Sequence, residues 1–521
     1  MRLIFKCAKY VLAKPACGSR CHTSALSLQN LGSPQCLGLP GGYGLEVLAA
    51  DTRAEFRSQG DSLPLLRAGF CVEVFLRLGQ FEKPAVTMHS QSPSSRFVAG
   101  WPQTWNRDSW PFMLWCMVGA FGAYFCMYGL RKPFTVHAYD GLQAWGMDLK
   151  ASLIVFQVIG YTLSKMIGIR VISQTSPENR ARGILGLTLV AWLALLGFAA
   201  TPLPGAVLFL FLNGLMLGMV FGLVLGFLEG RRMTECLAAG LCASFILADG
   251  VTKSVGAWLI LKGVPPMWMP FAAGAVFMIP LGGFVWMLGR IPPPDARDQA
   301  ERQQRLPMQA EDRRRYLKHH APVLGLLCLA YLLITLTRSL RGDFATELWR
   351  ELGETTTPGL FSYSELWVAL VIMLGSGLFS LYRDNRRALM HALVACMLGL
   401  GLLLGCALAL RTGRIGAFPF MVLTGMGLYF PYVLVHTTLF ERMMALTRDR
   451  GNLGFLMYLA DSAGYLGYVA LMLVRRLLPF PEQSLAFFVL LITVVGVIGI
   501  LCFALAQHHF RRILPVKPVL K

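Results

Sequence analysis

From residue 112 to residue 506 the chain is written almost entirely in apolar runs of about twenty residues, separated by short polar breaks. About twenty apolar residues is the length a helix needs to cross a bilayer's hydrocarbon core. Twelve runs qualify: 112–130, 151–172, 183–200, 205–228, 236–261, 266–289, 321–341, 362–381, 388–410, 416–440, 452–474 and 485–506. The pattern predicts an all-α membrane protein with twelve transmembrane helices.

One break is longer than the others. Residues 290–320 open on Pro292-Pro293-Pro294 and continue with alternating acidic and basic residues, which reads as a solvated linker dividing the spans six and six. The expected organisation is an N-terminal half at 88–289, the linker, a C-terminal half at 321–506 and a tail at 507–521. The halves also echo each other. Glu229 follows the fourth span and Asp249 lies in the fifth; Glu441 follows the tenth and Asp461 lies in the eleventh, each 212 residues on. The local text repeats as well, Leu247-Ala248-Asp249-Gly250 against Leu459-Ala460-Asp461-Ser462, and Arg131 and Arg338 stand at similar places in the first and seventh spans. Two parallel six-helix halves with a basic central loop are the major facilitator architecture.

Composition agrees with a lipid solvent. Only 15% of the 521 residues are charged and 55% are hydrophobic, whereas soluble chains carry about 25% charge. The net charge of +20 would suit nucleic acid, but its distribution does not. Inner loops hold Arg180, Arg182, Arg231, Arg232, Arg313-Arg314-Arg315, Arg383, Arg386, Arg387, Arg448, Arg450 and Arg511-Arg512. Outer loops hold fewer, namely Arg131, Lys132, Lys150, Lys262, Arg350, Arg411, Arg414 and Arg475-Arg476. That bias predicts a multi-pass protein of an inner or plasma membrane with both termini cytoplasmic, and it excludes nucleic acid as the partner. The partners expected are the lipid bilayer and a small solute, with the protein a monomer.

The first 87 residues stand apart. They contain no spanning run and five of the thirteen cysteines, Cys7, Cys17, Cys21, Cys36 and Cys71. An acidic-poor stretch before Glu46 hints at a targeting peptide, and Cys17, Cys21 and His22 hint at zinc without a second ligand pair. The plainer expectation is a disordered extension, or a protein that starts at Met88. The other eight cysteines sit singly in apolar runs as small core residues. No metal or cofactor is expected.

Charges inside the spans carry the chemistry, because a cation there costs several kcal/mol unless it meets water, a partner or an anion. Tyr124, Tyr128 and Arg131 follow i, i+4, i+7 on the first span, and Tyr331, Thr335 and Arg338 repeat that spacing on the seventh. Gln157, Tyr161 and Lys165 stripe the second; Tyr429, Tyr432 and His436 the tenth; Tyr458, Asp461, Tyr465 and Tyr468 the eleventh. Such stripes are expected to face a shared polar cavity. The competing readings are core or interfacial tyrosines and an Arg131 that snorkels to the interface. Gly214, Gly218, Gly222, Gly226 and Gly230 recur every fourth residue along the fourth span and read as a close helix-packing surface.

Two stretches, Gly122-Ala123-Tyr124-Phe125 and Arg131-Lys132-Pro133-Phe134, resemble the first helix of the organophosphate:phosphate antiporters of the major facilitator superfamily. Gly160-Tyr161-Thr162-Leu163-Ser164-Lys165 is similar to that family's second helix, and Arg338 with Asp343 and Phe344 to its arginine segment. The resemblance implies a phosphate site between Arg131 and Arg338 with Lys165 nearby; Tyr128, Tyr161 and His436, from the polar stripes, are expected to line the same cavity. There are departures. Asp249 stands where those antiporters carry a histidine, Pro133 should end the first helix early, and the Gly-x-x-x-Asp-Arg loop is eroded between Gly168 and Arg180.

The reading is a non-enzymatic secondary transporter of a small anion, with organic phosphate the narrower expectation. Two alternatives accompany it. In one, Asp249 and Asp461 carry protons for a different small solute; in the plainer version Asp249 pairs with Lys253 and Asp461 bonds to tyrosines. In the other, the chain is a transporter-like sensor. No nucleophile elbow or phosphate-cradling glycine loop appears, and His436 has no base arrangement near it in sequence.

Overall fold

The structure is a computed structural model whose described residues are 110–228, 234–292, 310–355, 357–379, 381–447, 453–477 and 484–513. The expected extension at 1–87, the stretch 293–309 of the linker, Glu229 and Gly230 lie outside the described residues. All that is described falls within one compact unit, Ser94–Lys521.

Among the described residues twelve helices are long and apolar enough to cross a membrane. In order they are Trp110–Gly129, Leu149–Gln174, Pro177–Ala200, a fourth in two pieces (Ala206–Leu217 and Val220–Leu228), Thr234–Leu261 and Met269–Gly289. The second six are Ala321–Asp343, Pro358–Phe379, Asn385–Arg411, an interrupted tenth beginning at Ala417, Leu453–Leu477 and Ser484–Ile513. Within the first half the first span packs on the fifth and sixth, the second on the fourth, and the third on the fourth and sixth. The second half repeats that scheme: seventh on eleventh and twelfth, eighth on tenth, ninth on tenth and twelfth. Between halves the second span meets the eleventh and the fifth meets the eighth, which are equivalent pairs under the same repeat. This is the major facilitator arrangement of two parallel halves related by a twofold.

Local chemistry explains the departures from twelve plain rods. The first helix ends at Gly129, and Pro133 opens a 3-10 turn over Pro133–Val136, a position where its missing N–H leaves no gap. Arg131 therefore lies just beyond the helix, its N–H bonded to the Tyr128 carbonyl at 2.9 Å; it is not the third member of a helical stripe. A hairpin follows, Gln143–Ala144 paired with Met147–Asp148. Its turn needs two positive φ angles, met by Trp145 (58°) and Gly146 (73°). The fourth span breaks at Gly218–Met219. The tenth carries a π-helical turn, Val435–Leu439, between Ala417–Leu434 and Phe440–Thr447. Such turns bulge one residue out of register and frequently mark functional sites. The linker is not solvated throughout: Ala310–His319 is helical, with Tyr316 buried against His320.

The glycine repeat divides into two roles. A Cβ on Gly214 would stand 2.0 Å from the Gln157 carbonyl oxygen, and one on Gly218 would stand 2.4 Å from that of Tyr161. These two glycines let the second and fourth spans touch backbone to backbone. Gly226 faces the Arg180 side chain, which donates to its carbonyl at 2.6 Å, so it belongs to a different contact. Gly222 is buried.

Candidate functional site

Where the first helix ends it leaves carbonyls unclaimed, and two amides collect them. Gln157 donates to the Arg131 carbonyl at 3.1 Å, and Asn213 donates to those of Leu130 and Ala191 at 3.1 Å each. Gln157 also donates to Asn213 at 2.9 Å. Gln157 is thus committed to the backbone rather than presented to a cavity, and its work is to fix Arg131.

Arg131 is 3% exposed and Arg338 is 7% exposed. Neither reaches an interface. The Arg131 guanidinium lies 3.8 Å from the Tyr161 ring centroid, 5.5 Å from Tyr128 and 5.8 Å from Tyr465, with a 3.5 Å contact to the Tyr128 hydroxyl. Arg338 lies 4.4 Å from Tyr432, 5.5 Å from Tyr429 and 5.9 Å from Phe245. Phe245 bridges the two environments, its ring 6.4 Å from Tyr128 and 5.7 Å from Tyr432. Tyr124 completes the first group, its hydroxyl 3.3 Å from that of Tyr161.

Among the described residues neither arginine has a carboxylate partner, and the Nε of each has no hydrogen-bond acceptor. Ring faces contribute about 2 kcal/mol to a desolvated cation, whereas removing a guanidinium from water costs several. The rings alone therefore leave both cations short of compensation.

Among the described residues Lys132, Lys150, Lys165, Lys253 and Arg341, all buried, each have an acid. Lys165 pairs with Asp461, joining the second span to the eleventh. In this conformation its charge is therefore matched by a carboxylate, unlike those of Arg131 and Arg338. Asp461 also receives the Tyr331 hydroxyl proton, and its Oδ1 lies 3.4 Å from His436 Nε2. Tyr331 and His436 are 3.0 Å apart. His436 is not alone; residues from four spans meet at Asp461, and the π-helical turn presents the imidazole to them. Their separations of 25 to 296 residues leave no trace in local sequence.

Asp249 belongs to a different cluster. Lys253 donates to it at 2.6 Å and to the Gly342 carbonyl at 2.5 Å. Lys132 lies 3.8 Å from Asp249 and pairs directly with Asp343, which also accepts from Tyr468 at 3.0 Å. Burial pulls the Lys132 ammonium below the usual lysine range, against the opposing pull of Asp343. Further toward that end, Lys150 grips both Glu347 oxygens at 2.5 and 2.7 Å. Arg341 pairs with Glu365 at 2.8 Å. Arg131, Lys132 and Lys150 were counted as outer-loop charges; all three are buried. Glu347, Glu365 and Arg341 escaped sequence reasoning, since single charges at span ends look like ordinary boundaries.

Two solved transporters resemble the chain in shape. Against the nucleoside transporter NupG (a mutant form) the TM-score is 0.47 at 12% identity, covering 76% of this chain and 99% of that one. Against PepTSo, a POT family transporter, it is 0.49 at 15% identity, covering 78% and 99%. No curated protein matches the sequence. A family model does match it, over residues 133–513, and the chain belongs to that family, described as a family of unknown function (DUF5690).

Proposed function

We propose that this protein is a secondary transporter that moves a small anion by alternating access, with Arg131 and Arg338 as its two-sided clamp. One observation carries the reading: among the described residues these two buried guanidiniums, one from each half, have no carboxylate partner, while Lys132, Lys150, Lys165, Lys253 and Arg341 each have one. A planar fork offers two parallel hydrogen bonds to phosphate or carboxylate oxygens. An anion held by both forks ties the halves together, and rocking about it exposes the site to either side.

Ion pairs gather at one end of the bundle, where Lys132 beyond the first span meets Asp343 at the end of the seventh, and Lys150 at the start of the second meets Glu347 in the short helix Ala345–Glu351. With cytoplasmic termini this end faces outward, so the conformation is closed to the outside. Organic phosphate is the narrower assignment, supported by the motif resemblance around Arg131 and Arg338. Asp249 does not oppose it, because Lys253 and Lys132 flank that carboxylate.

The test is counterflow in proteoliposomes with a panel of labelled organic phosphates, inorganic phosphate and carboxylates. Saturable exchange of one anion class is expected, falling at least about thirtyfold in Arg338→Ala, as for loss of one member of a buried charge pair. Arg338→Lys should fall nearly as far because the fork is lost. Exchange that persists in both variants would sink the reading.

A further inference from the structure

We propose that His436 is a proton-binding site that couples proton uptake to anion binding, an inference that rests on the anion reading above. Protonation of its Nδ1 makes the imidazolium the partner of Asp461 and frees Lys165 to join Arg131 and Arg338 around the anion.

The hydrogen-bond pattern supplies the geometry. The Tyr331 hydroxyl gives its single proton to Asp461 Oδ1, so it can only accept from His436 Nε2 at 3.0 Å. That assigns the neutral ring's proton to Nε2, which also faces Asp461 Oδ1 at 3.4 Å. Nδ1 then holds a lone pair. Among the described residues it has no hydrogen-bond partner, in a side chain 3% exposed. An imidazole can accept a second proton, and on this ring Nε2 faces the Asp461 carboxylate while Nδ1 keeps the lone pair.

Lys165 occupies the other half of the exchange. Its ammonium lies 5.1 Å from the Tyr161 ring and 5.0 Å from the Tyr465 ring, the two rings that also face Arg131 at 3.8 and 5.8 Å. Lys165 is therefore at the edge of the arginine site, held back by Asp461. On the far side Tyr432 links His436, 4.9 Å away, with Arg338, 4.4 Å away.

The remaining groups around the pair are accounted for. The second span presents Lys165 and Tyr161, the seventh Tyr331 and Arg338, and the eleventh Tyr458 and Tyr465 beside Asp461. The fifth brings Cys242 within electrostatic reach of Asp461, the ninth carries buried Cys396 and Cys406, and the tenth itself adds Tyr432, with Glu441 and Arg442 beyond the π-helical turn. Among the described residues Asp461 is the single carboxylate within 4 Å of the imidazole.

The cycle balances. A proton from water on one side forms the Nδ1–H bond; the imidazolium takes Asp461; Lys165 and the two arginines hold the anion. After the anion leaves on the other side, Lys165 returns to Asp461 and the Nδ1–H bond breaks toward that side. By linkage, each ligand raises the affinity for the other by the same factor.

Two measurements on the purified full chain decide it. Potentiometric titration in detergent with no anion, between about pH 8 and pH 5.5, the imidazole range, should show His436→Gln taking up about one proton fewer than the unmodified chain. Equal uptake overturns the proposal whether or not any anion is transported. In proteoliposomes, labelled inorganic phosphate should exchange with at least about tenfold tighter apparent affinity at pH 5.5 than at pH 8, in line with typical coupling. The ratio should shrink toward the phosphate's own titration, common to all chains, in both His436→Gln and Asp461→Asn. An unchanged ratio in those variants overturns the coupling. If no panel anion exchanges in counterflow, the transport reading fails, and the anion-free titration still decides the proton site.

Discussion

At the residue scale, a buried charge is judged by what faces it. Asp249 could be a proton carrier or one member of a structural set, and geometry favours the second: two lysines flank it and Lys253 is bound twice over. Removing one member of such a pair leaves an uncompensated buried charge, at about 3–5 kcal/mol, while removing both is far milder. Lys253→Met should therefore lower the thermal unfolding midpoint markedly, and Lys253→Met with Asp249→Asn should recover most of the loss. A double variant no more stable than the single one would return Asp249 to the list of coupling candidates.

At the element scale, hydropathy was a sufficient guide. Twelve spans were legible because twenty apolar residues have few other uses, and the matched Leu-Ala-Asp texts around Asp249 and Asp461 disclosed the half-repeat. Interruptions were not legible. Nothing local distinguishes the π-helical turn at Val435–Leu439 from ordinary helix, and the break at Gly218–Met219 sits inside a regular glycine repeat. That repeat read as one surface, yet Gly214 meets backbone whereas Gly226 meets a flexible side chain. The difference has a measurable consequence. Gly214→Ala must push two helices apart, with an overpacking cost of about 1–3 kcal/mol or more, and should reduce the monodisperse fraction on size exclusion. Gly226→Ala needs only the Arg180 head to shift and should leave that fraction nearly unchanged.

At the scale of the whole molecule, the candidate site was half legible. Arg131 and Arg338 could be picked out because a cation in an apolar run is an anomaly wherever it points. Their freedom from acids could not, since Lys165 meets an aspartate 296 positions away and Lys132 one 211 positions away. These long-range pairs also join the halves, and on the transport reading they are the closure between them. Lys150 to Glu347, Lys132 to Asp343 and the Thr346 hydroxyl to the Val136 carbonyl at 2.9 Å join the stretch from the end of the first span to the start of the second with the end of the seventh and the helix Ala345–Glu351 after it. Lys150→Ala removes one link and leaves Glu347, which is partly accessible at 17% side-chain exposure, able to meet water once the halves part. The open form gains stability relative to the closed one, and a shift of about 1.4 kcal/mol already changes the ratio tenfold. Hydrogen–deuterium exchange should accordingly speed up by about that factor or more over residues 133–149 and 343–353, and stay level in the ninth and twelfth spans, which pack within one half. Faster exchange in all spans alike would mean that the pair holds the fold together; acceleration confined to those two segments would mean that it holds a gate shut.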